Sequence, residues 1–367
     1  MTSDLSDPRL KTSGEPNSSN GFSSHIIFNY IASQIGVLKG NGIGPEITAA
    51  TIRVIESTGI QPEWDFIPIA DEAAKLYGHP LPPQVIQRLK EVKFYIKAPL
   101  LAEKLHGRIG CTQTDGSVVT YPSINNAIRR ELNLFVNLRP IRGYVGISAR
   151  HEKMDLVIMR EITEDTYIGW EKRLEDASQY AFEHARKHGR KNVSCLHKAN
   201  VLHGTDGLFL RTFQEVARLY PDVLADGMMI DAVCYSVARD PGRFDVVVTV
   251  DQYGDIFSDL AAGLTGSLGL APSANIGDDV STFEAAHGAA LDIVGTVAAN
   301  PIALILSGAA LLVHAGYAME SEAIQEAVTR VIEEGKILTL DLGGCSTTDQ
   351  VANAVSVESE QSLGVHS

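Results

Sequence analysis

The most constraining feature of this chain is the stretch from Asp251 to Gly277, which places acidic side chains at helical spacing ahead of glycine-rich turns. The apolar run before it, Phe244–Val250, predicts a buried strand. If a helix follows, Asp255 and Asp259 lie at i and i+4 on one face, where their oxygens can share one hard divalent cation. An acidic cap on a surface helix is the alternative, because the helix dipole favours it without any metal. Ligand sites of α/β sheets lie at such strand ends, so this edge is the predicted site.

Length and charge narrow the class of protein. With 367 residues, 44% hydrophobic content and 32 glycines, the chain can form about two domains with a large apolar core. The formal net charge of −14 argues against a surface that binds nucleic acid, so an anionic ligand would need locally placed arginines. The four cysteines have neither metal-ligand nor disulfide spacing, which fits a reducing cytoplasm.

The sequence predicts neither a membrane protein nor a secreted one. Residues 1–24 are rich in Ser, Asn, Asp and Pro, so we expect a disordered leader rather than a signal or transit peptide. The longest apolar run, Pro301–Gly316, is too short to cross a bilayer and contains His314. This run therefore predicts a buried or interface helix.

Two long motifs resemble those of a known family. They are GDIFSDLAAGLTGSLGLAPSANIG (Gly254–Gly277) and FEAAHGAALDIVGTVAANPIALILS (Phe283–Ser307). Both resemble the metal-dependent β-decarboxylating dehydrogenases of isocitrate and 3-isopropylmalate, and the resemblance extends over roughly residues 33–355.

The resemblance implies a mixed α/β fold with two domains. Residues 25–134 and 266–358 would form the large, cofactor-side domain, and residues 135–265 the smaller, dimerising domain. The turn GNGIGPE (Gly40–Glu46) lacks the GxGxxG spacing of a Rossmann dinucleotide site. We therefore expect a fold of this family and not a Rossmann fold.

A substrate site is predicted from two arginine-containing segments, the first of which also contains a serine and an asparagine. Ser123 and Asn125 precede Arg129 and Arg139, and guanidinium groups bind carboxylates through paired hydrogen bonds. Taken alone, such arginines are more often solvated or salt-bridged. The pattern S-x-N-x-x-x-R resembles the isocitrate-specific form of the family, and Arg160 in REITEDTY would join the same clamp.

The resemblance also implies the catalytic and metal-binding residues. Lys198 in HKAN matches the family's base, and Tyr167 matches the acid that protonates the product. Mg²⁺ or Mn²⁺ would be held by Asp231, Asp255 and Asp259. In the family the lysine and the first of these aspartates serve the neighbouring subunit, so a homodimer with shared active sites is expected.

The cofactor is predicted to be NAD. Members of the family that use NADP place a basic residue after the HG motif, whereas this chain has Asp292 and Ile293 there. An acid at this position can accept hydrogen bonds from ribose hydroxyls and would repel a 2′-phosphate. A helix-capping role for the aspartate is the alternative. The residues that the resemblance assigns to cofactor binding are Asn200, Glu284, His287, Gly288, Asp292, Ile293 and Asn300.

The predicted function is NAD-dependent oxidative decarboxylation of isocitrate or a closely related 3-carboxy-2-hydroxy acid. Homoisocitrate, 3-isopropylmalate or a specialised-metabolism tricarboxylate analogue is an alternative substrate. A non-catalytic regulatory subunit is a second alternative, since the chain departs from the family at several positions. These departures are Asn41, Ile162, Asp251 and His203.

The segment that would clasp a neighbouring subunit, Ile168–Arg190, is short compared with the family. We therefore expect the dimer to be held by apolar helices of the small domain. The region around Asp231–Val237 would contribute, together with a stripe on a neighbouring helix formed by Leu208, Phe209, Val216 and Leu219.

Overall fold

A computed structural model describes residues 34–101, 108–113, 115–163 and 173–364. The predicted leader, residues 1–24, lies outside these ranges, as does Tyr167. The strands are β1 (Gln34–Leu38), β2 (Glu63–Phe66), β3 (Phe94–Lys97), β4 (Ile109–Thr112), β5 (Val118–Tyr121), β6 (Leu134–Arg142), β7 (Asp155–Glu161), β8 (Asn192–His197), β9 (Leu224–Met229), β10 (Val246–Thr249), β11 (Pro272–Gly277) and β12 (Ser281–Ala285). The helices are α1 (Gly44–Ser57), α2 (Asp71–Tyr77), α3 (Pro83–Glu91), α4 (Ile124–Glu131), α5 (Leu174–Lys187), α6 (Thr205–Ala217), α7 (Ile230–Arg239), α8 (Asp251–Thr265), α9 (Ile302–His314), α10 (Ala318–Glu334) and α11 (Thr348–Leu363).

One sheet of ten strands runs through the molecule in the order β2-β1-β3-β12-β11-β6-β7-β10-β8-β9. Its outer strands pair in parallel, whereas β6 pairs antiparallel with both β11 and β7. A short hairpin of β4 and β5 stands apart from this sheet. The mixed α/β fold is thereby confirmed, and its strand order is not that of a Rossmann domain.

The division into two domains stays a prediction, although the sheet gives it a natural position. Strands from residues 34–97 and 272–285 lie on one side, and strands from residues 134–249 lie on the other. The two groups meet where β11 pairs with β6. At this meeting point the pairing of β11 with β6 shifts its register between Ile276 and Gly277.

The two faces of the sheet are covered differently. On one face a continuous apolar cluster packs under α1, α5, α6, α9, α10 and α11, and it includes Val136, Met159, Ala274 and Phe283. On the other face there are two separate clusters, one under α3 and α4 and one under α7 and α8. Because side chains alternate across a strand, residues 137, 139, 273, 275, 282 and 284 point to this second face, between the two clusters. All six are polar.

The apolar run that was predicted to be a buried or interface helix forms α9. Its side chains from Ile302 to Ala309 are buried in the large cluster. Among the residues that the structure describes, no helix is long and apolar enough to span a bilayer.

The stripe predicted for dimer contact on α6 is wrong at two positions. Phe209 and Val216 lie on the inner face of α6 and are buried in the core of their own chain, as is Phe213 of the same helix. Leu219 is 70% exposed and stays available to a partner. A helical apolar stripe has the same spacing whether it faces a core or an interface, and this explains the error.

The conformation of Val297 generates a stability prediction. This β-branched residue has φ of 54°, and its carbonyl accepts hydrogen bonds from Thr348 that hold the loop in place. An L-residue in this left-handed region costs about 1–2 kcal/mol, and asparagine tolerates it better.

We expect Val297→Asn to raise the free energy of unfolding by about 1 kcal/mol, because Val297 is half-exposed and little apolar packing is lost. Urea unfolding followed by circular dichroism measures the change. Val294→Asn is the matched control, since Val294 is similarly exposed with φ of −58°. An equal or larger gain in the control would contradict the assignment of strain to residue 297.

Candidate active site

A row of polar side chains crosses the second face of the sheet at its centre. The strand register places Lys97 beside Glu284, and Asn275 beside Asn137. Asn137 in turn lies beside Arg160. Lys97, Asn137 and Arg160 are all at most 6% exposed, as is Asn275. Buried polar groups of this kind need partners, so this part of the sheet is built for electrostatic contacts instead of apolar packing.

Helix α8 supplies carboxylates to the arginines of this row. Arg160 Nε donates to Asp251 Oδ1 at 2.6 Å, and another nitrogen of the same guanidinium group bonds Asp255. Arg139 donates to Ser258 Oγ at 2.5 Å and lies 3.7 Å from an oxygen of Asp255. The predicted i, i+4 face of the helix is thus the face that meets the guanidinium groups.

A glycine makes this approach possible. A Cβ atom on Gly254 would lie 2.6–2.7 Å from Cγ and Cβ of Arg160, closer than side chains pack. Gly254 is itself buried inside α8, one turn before Ser258. The glycine therefore lets the Arg160 side chain cross the helix surface.

Arg139 and Arg129 have fewer negative charges around them than their burial requires. Burial, and then the neighbouring charge of Arg160, lower the pKa of Arg139 to about 10. The same two causes lower the pKa of Arg129. A cation whose charged form is disfavoured is stabilised by any anion that enters. The centre of the row can consequently bind an anionic ligand.

Lys97 is a residue of this site that sequence reasoning missed. Its ammonium group forms a buried ion pair with Glu284, and Arg129 lies 4.0 Å from the same carboxylate. Burial would raise the pKa of Glu284, but the charges of Lys97 and Arg129 and a hydrogen bond from Asn275 lower it to about 2. The available signal was a lysine at the end of a buried strand, Phe94–Lys97.

The start of α4 contains the predicted serine and asparagine. Ser123 is the N-cap, and its Oγ accepts from the backbone N–H of Asn126 at 3.1 Å. Asn125 Oδ1 is buried and has no hydrogen-bond partner among the described residues. An orphaned carbonyl oxygen is costly to bury, so its position favours a ligand that donates a hydrogen bond there.

Lys198 and Asp231 form a second, separate pair. Lys198 Nζ lies 2.6 Å from Asp231 Oδ1, and the backbone N–H of Lys198 donates to buried Asp206. In the described part of the chain no three His, Cys, Asp or Glu side chains are grouped so that they could hold a metal. The predicted set of Asp231, Asp255 and Asp259 is therefore not assembled within one chain.

The HG motif and the turn after it lie against the glycine-rich turn at the start of α1. Ile43 N–H donates to the carbonyl of Ala289 at 3.1 Å, and a Cβ on Gly42 would lie 2.1 Å from that oxygen. His287 Nε2 is buried without a hydrogen-bond partner in the described residues, and burial lowers the pKa of this imidazole. Next to it, a Cβ atom built on Gly288 would meet no other atom within 4 Å.

The other residues predicted for the cofactor have different surroundings. Asp292 is exposed in a short 3-10 turn that also contains Ile293. Asn300 donates to Asp341 at 2.9 Å and accepts from Ile302 N–H at 3.0 Å, so its amide orientation is fixed. Asn200 lies in the turn after β8, close to Lys198 in sequence, and Glu284 belongs to the polar row.

Two departures from the family can be located. Asn41 donates to Asp71 and accepts from the backbone N–H of Leu101, so it joins the first turn to the loop after β3. Ile162 is buried in the apolar cluster under α4. Asn41 is held by hydrogen bonds and Ile162 by apolar packing, so both residues have a structural role.

The chain is similar to several dehydrogenases. A family profile described as isocitrate/isopropylmalate dehydrogenase matches residues 34–180 and 175–355. The chain is 40% identical to the 3-isopropylmalate dehydrogenase of Archaeoglobus fulgidus, over 88% of this chain and 98% of that protein. It is 37% identical to a mitochondrial NAD isocitrate dehydrogenase catalytic subunit 5 of Arabidopsis thaliana, over 93% and 94% of the two chains. The crystal structure of isocitrate dehydrogenase from Methylococcus capsulatus superposes with a TM-score of 0.81 at 38% identity, covering 89% of this chain and 99% of that one.

The role of Gly254 can be separated from its helix propensity. Gly254→Ala should displace the Arg160 side chain and lower the urea midpoint of unfolding, because the added methyl group overlaps Arg160 Cβ and Cγ. Gly263→Ala, in the same helix with no atom within 4 Å of its Cβ position, should raise stability by up to about 1 kcal/mol. If both variants shift the midpoint in the same direction by the same amount, the close approach of Arg160 does not constrain the helix.

Proposed function

This chain belongs to the isocitrate/isopropylmalate dehydrogenase family, and we propose that it oxidises and decarboxylates isocitrate or a closely related 3-carboxy-2-hydroxy acid with NAD. The observation that carries the proposal is the group of arginines at the polar row: Arg139 and Arg160 are buried on the sheet, and Arg129 of α4 lies 4.0 Å from Glu284. Asp251 and Asp255 pair with Arg160, whereas burial and the charge of Arg160 lower the pKa of Arg139 and of Arg129, so these two lack full neutralisation. A substrate with several carboxylates supplies the missing negative charge.

The choice among hydroxy acids rests on the start of α4. The Asn125 side chain also carries an N–H₂ group, which can donate a hydrogen bond to a carboxylate on the C3 substituent, and this favours a substrate with a third carboxylate over one with an apolar substituent. This supports isocitrate ahead of 3-isopropylmalate. Homoisocitrate and other tricarboxylates fit the same chemistry and belong in the substrate panel.

Oxidation requires a base near the hydroxyl group and a hydride acceptor. NAD, when bound, supplies the hydride acceptor for C2. Lys198 Nζ takes the hydroxyl proton, and Asp231, 2.6 Å away, orients this amine. Arg139 and Arg160 hold carboxylates so that the C2 hydrogen faces the acceptor.

Decarboxylation then follows from the new ketone. The bond from C3 to its carboxylate breaks, CO₂ leaves, and the electron pair forms the C2=C3 double bond of an enolate whose negative charge lies on the former ketone oxygen. Tyr167, which lies outside the described residues, is proposed to donate its hydroxyl proton to C3. Arg129 and Lys97 stay paired with Glu284 throughout and keep the cofactor side of the site charged and fixed.

A divalent cation fits the donors of α8. Asp255 and Asp259 stand at i and i+4 with side chains about 60% exposed, and carboxylate oxygens are the ligands that Mg²⁺ and Mn²⁺ prefer. Burial and the charge of Asp255 raise the pKa of Asp259, with Arg139 opposing, and this is the condition that a nearby cation relieves. When bound, the cation stabilises negative charge on the substrate oxygens. Asp231 of a second copy would complete the set.

A homodimer follows from the same reasoning, and the exposed surface supports a location for it. Apolar side chains are exposed on β9 and α7, the two elements that meet next to Asp231: Leu224 is 71% exposed, Tyr235 is 63% exposed and Met229 is 39% exposed. Among the described residues β9 is the last strand of the sheet, so its outer side is an unpaired edge there. A second copy seated on this surface would cover an apolar patch and bring Lys198 and Asp231 toward another chain's site.

NAD is proposed over NADP because exposed Asp292 would repel a 2′-phosphate. The buried His287 Nε2 without a partner fits a cofactor ring that donates or accepts a hydrogen bond.

A cytoplasmic location stays a prediction from composition, since the Arabidopsis relative is named as mitochondrial. Cell fractionation decides it.

The function is tested by following NADH absorbance with each candidate acid, Mn²⁺, and NAD or NADP. We expect turnover with isocitrate and NAD. Lys198→Met should lower kcat by at least about 10²-fold, because it removes the base. Lys191→Met, at the opposite end of the same strand, should leave activity unchanged. Near-normal turnover by Lys198→Met excludes it as the base, and a protein inactive on every acid favours the regulatory-subunit alternative.

Shared sites are tested by complementation. Lys198→Met and Asp255→Asn variants should each be inactive alone. After subunit exchange, a mixed dimer has one site with both an intact lysine and an intact aspartate, so activity should return toward half per mixed dimer. Native mass spectrometry confirms exchange. No recovery after confirmed exchange, or an active monomer, would place the whole site in one chain.

A further inference from the structure

Two buried asparagines connect the arginine side of the polar row to its carboxylate side. Arg139 Nε donates to Asn137 Oδ1 at 2.7 Å. Asn137 Nδ2 donates to Asn275 Oδ1 at 2.8 Å, and Asn275 Nδ2 donates to Glu284 Oε1 at 2.7 Å. The chain of hydrogen bonds crosses β6, β11 and β12 and joins residues far apart in sequence.

Every polar atom of the two amides has a partner. The second hydrogen of Asn137 Nδ2 goes to Ser273 Oγ at 2.6 Å, and the second hydrogen of Asn275 Nδ2 goes to Thr282 Oγ1 at 3.0 Å. Asn137 is fully buried and Asn275 is 2% exposed. Neither amide can rotate without leaving buried groups unpaired, which fixes the direction of both.

The direction of the chain matches the charges at its ends. A cation donates at one end and a carboxylate accepts at the other, so both amide dipoles lie along the field between Arg139 and Glu284. Hydrogen bonds aligned in this way strengthen one another. Reversing the Asn137 amide would bring its N–H groups against the N–H of Arg139, and the reversed arrangement is strongly disfavoured.

We propose that Asn137 and Asn275 are positioning residues that hold the Arg139 guanidinium group in the plane needed to bind a substrate carboxylate, by connecting it to the fixed carboxylate of Glu284. The proposal rests on the proposed function in so far as Arg139 contacts the hydroxy acid. Glu284 is a firm anchor because Lys97 and Arg129 surround it. The substrate side and the cofactor side of the site are therefore ordered together.

The test uses Asn275→Leu, which alters a residue without contact to Arg139. Losing this amide frees Asn137 to reorient, so we expect the KM for the hydroxy acid to rise about tenfold with kcat changed less than twofold. The exchange rate of the Arg139 Nε proton, measured by NMR on ¹⁵N-labelled protein, should rise at least tenfold. Asn275→Ser, a milder truncation, should change both quantities in the same direction if the leucine variant does not fold.

Ser273→Ala is the matched control, because Ser273 is equally buried on the same strand and also accepts from Asn137, but does not continue to Glu284. It should change KM and proton exchange much less than either Asn275 variant. Equal effects at both positions, or unchanged Arg139 exchange in the Asn275 variants, would overturn the proposal. If the wild type oxidises no acid in the panel, the proposed function fails, while the exchange measurement still decides the positioning role.

Discussion

The structure depends on one constraint: charged and amide side chains occupy the centre of one face of the sheet, between two apolar clusters. Lys97, Glu284, Asn137 and Arg160 come from four different strands, and the strand register brings them into one row. Burying these groups is costly unless each has a partner. Lys97 pairs with Glu284 within the row, whereas the partners of Arg160 are Asp251 and Asp255 of α8. The row thereby separates two apolar clusters on its face of the sheet.

The surrounding elements follow from this division. Helix α8 can lie against the row because Gly254 gives the Arg160 side chain room and because its carboxylates face the guanidinium groups. Asp251, which departs from the family, adds a buried acid on Arg160 and reduces the positive charge offered to a ligand. The opposite face of the sheet has no such interruption, and its continuous apolar cluster holds the strands together.

Sequence reasoning succeeded where a pattern lies within one segment. The long motifs indicated the family and the mixed α/β fold, and the i, i+4 aspartates were correctly placed on one helix face. It missed Lys97 and the Asn137–Asn275 connection, because a polar residue in a strand gives no sign of which strand will lie beside it. It erred on Phe209 and Val216, since an apolar helical stripe does not reveal what covers it. The metal set including Asp231 could be expected only from the family, because one chain does not assemble it.

The central claim is that this polar row binds the carboxylates of a hydroxy acid, and that a second copy of the chain supplies the last ligand of the metal site. A crystal structure with isocitrate, NAD and Mn²⁺ measures both directly. We predict substrate carboxylates within hydrogen-bond distance of Arg129, Arg139 and Arg160. Mn²⁺ should be bound by Asp255 and Asp259 of one protomer and by Asp231 of a second copy. A substrate bound away from the row, or a metal held entirely by one protomer, would contradict the account.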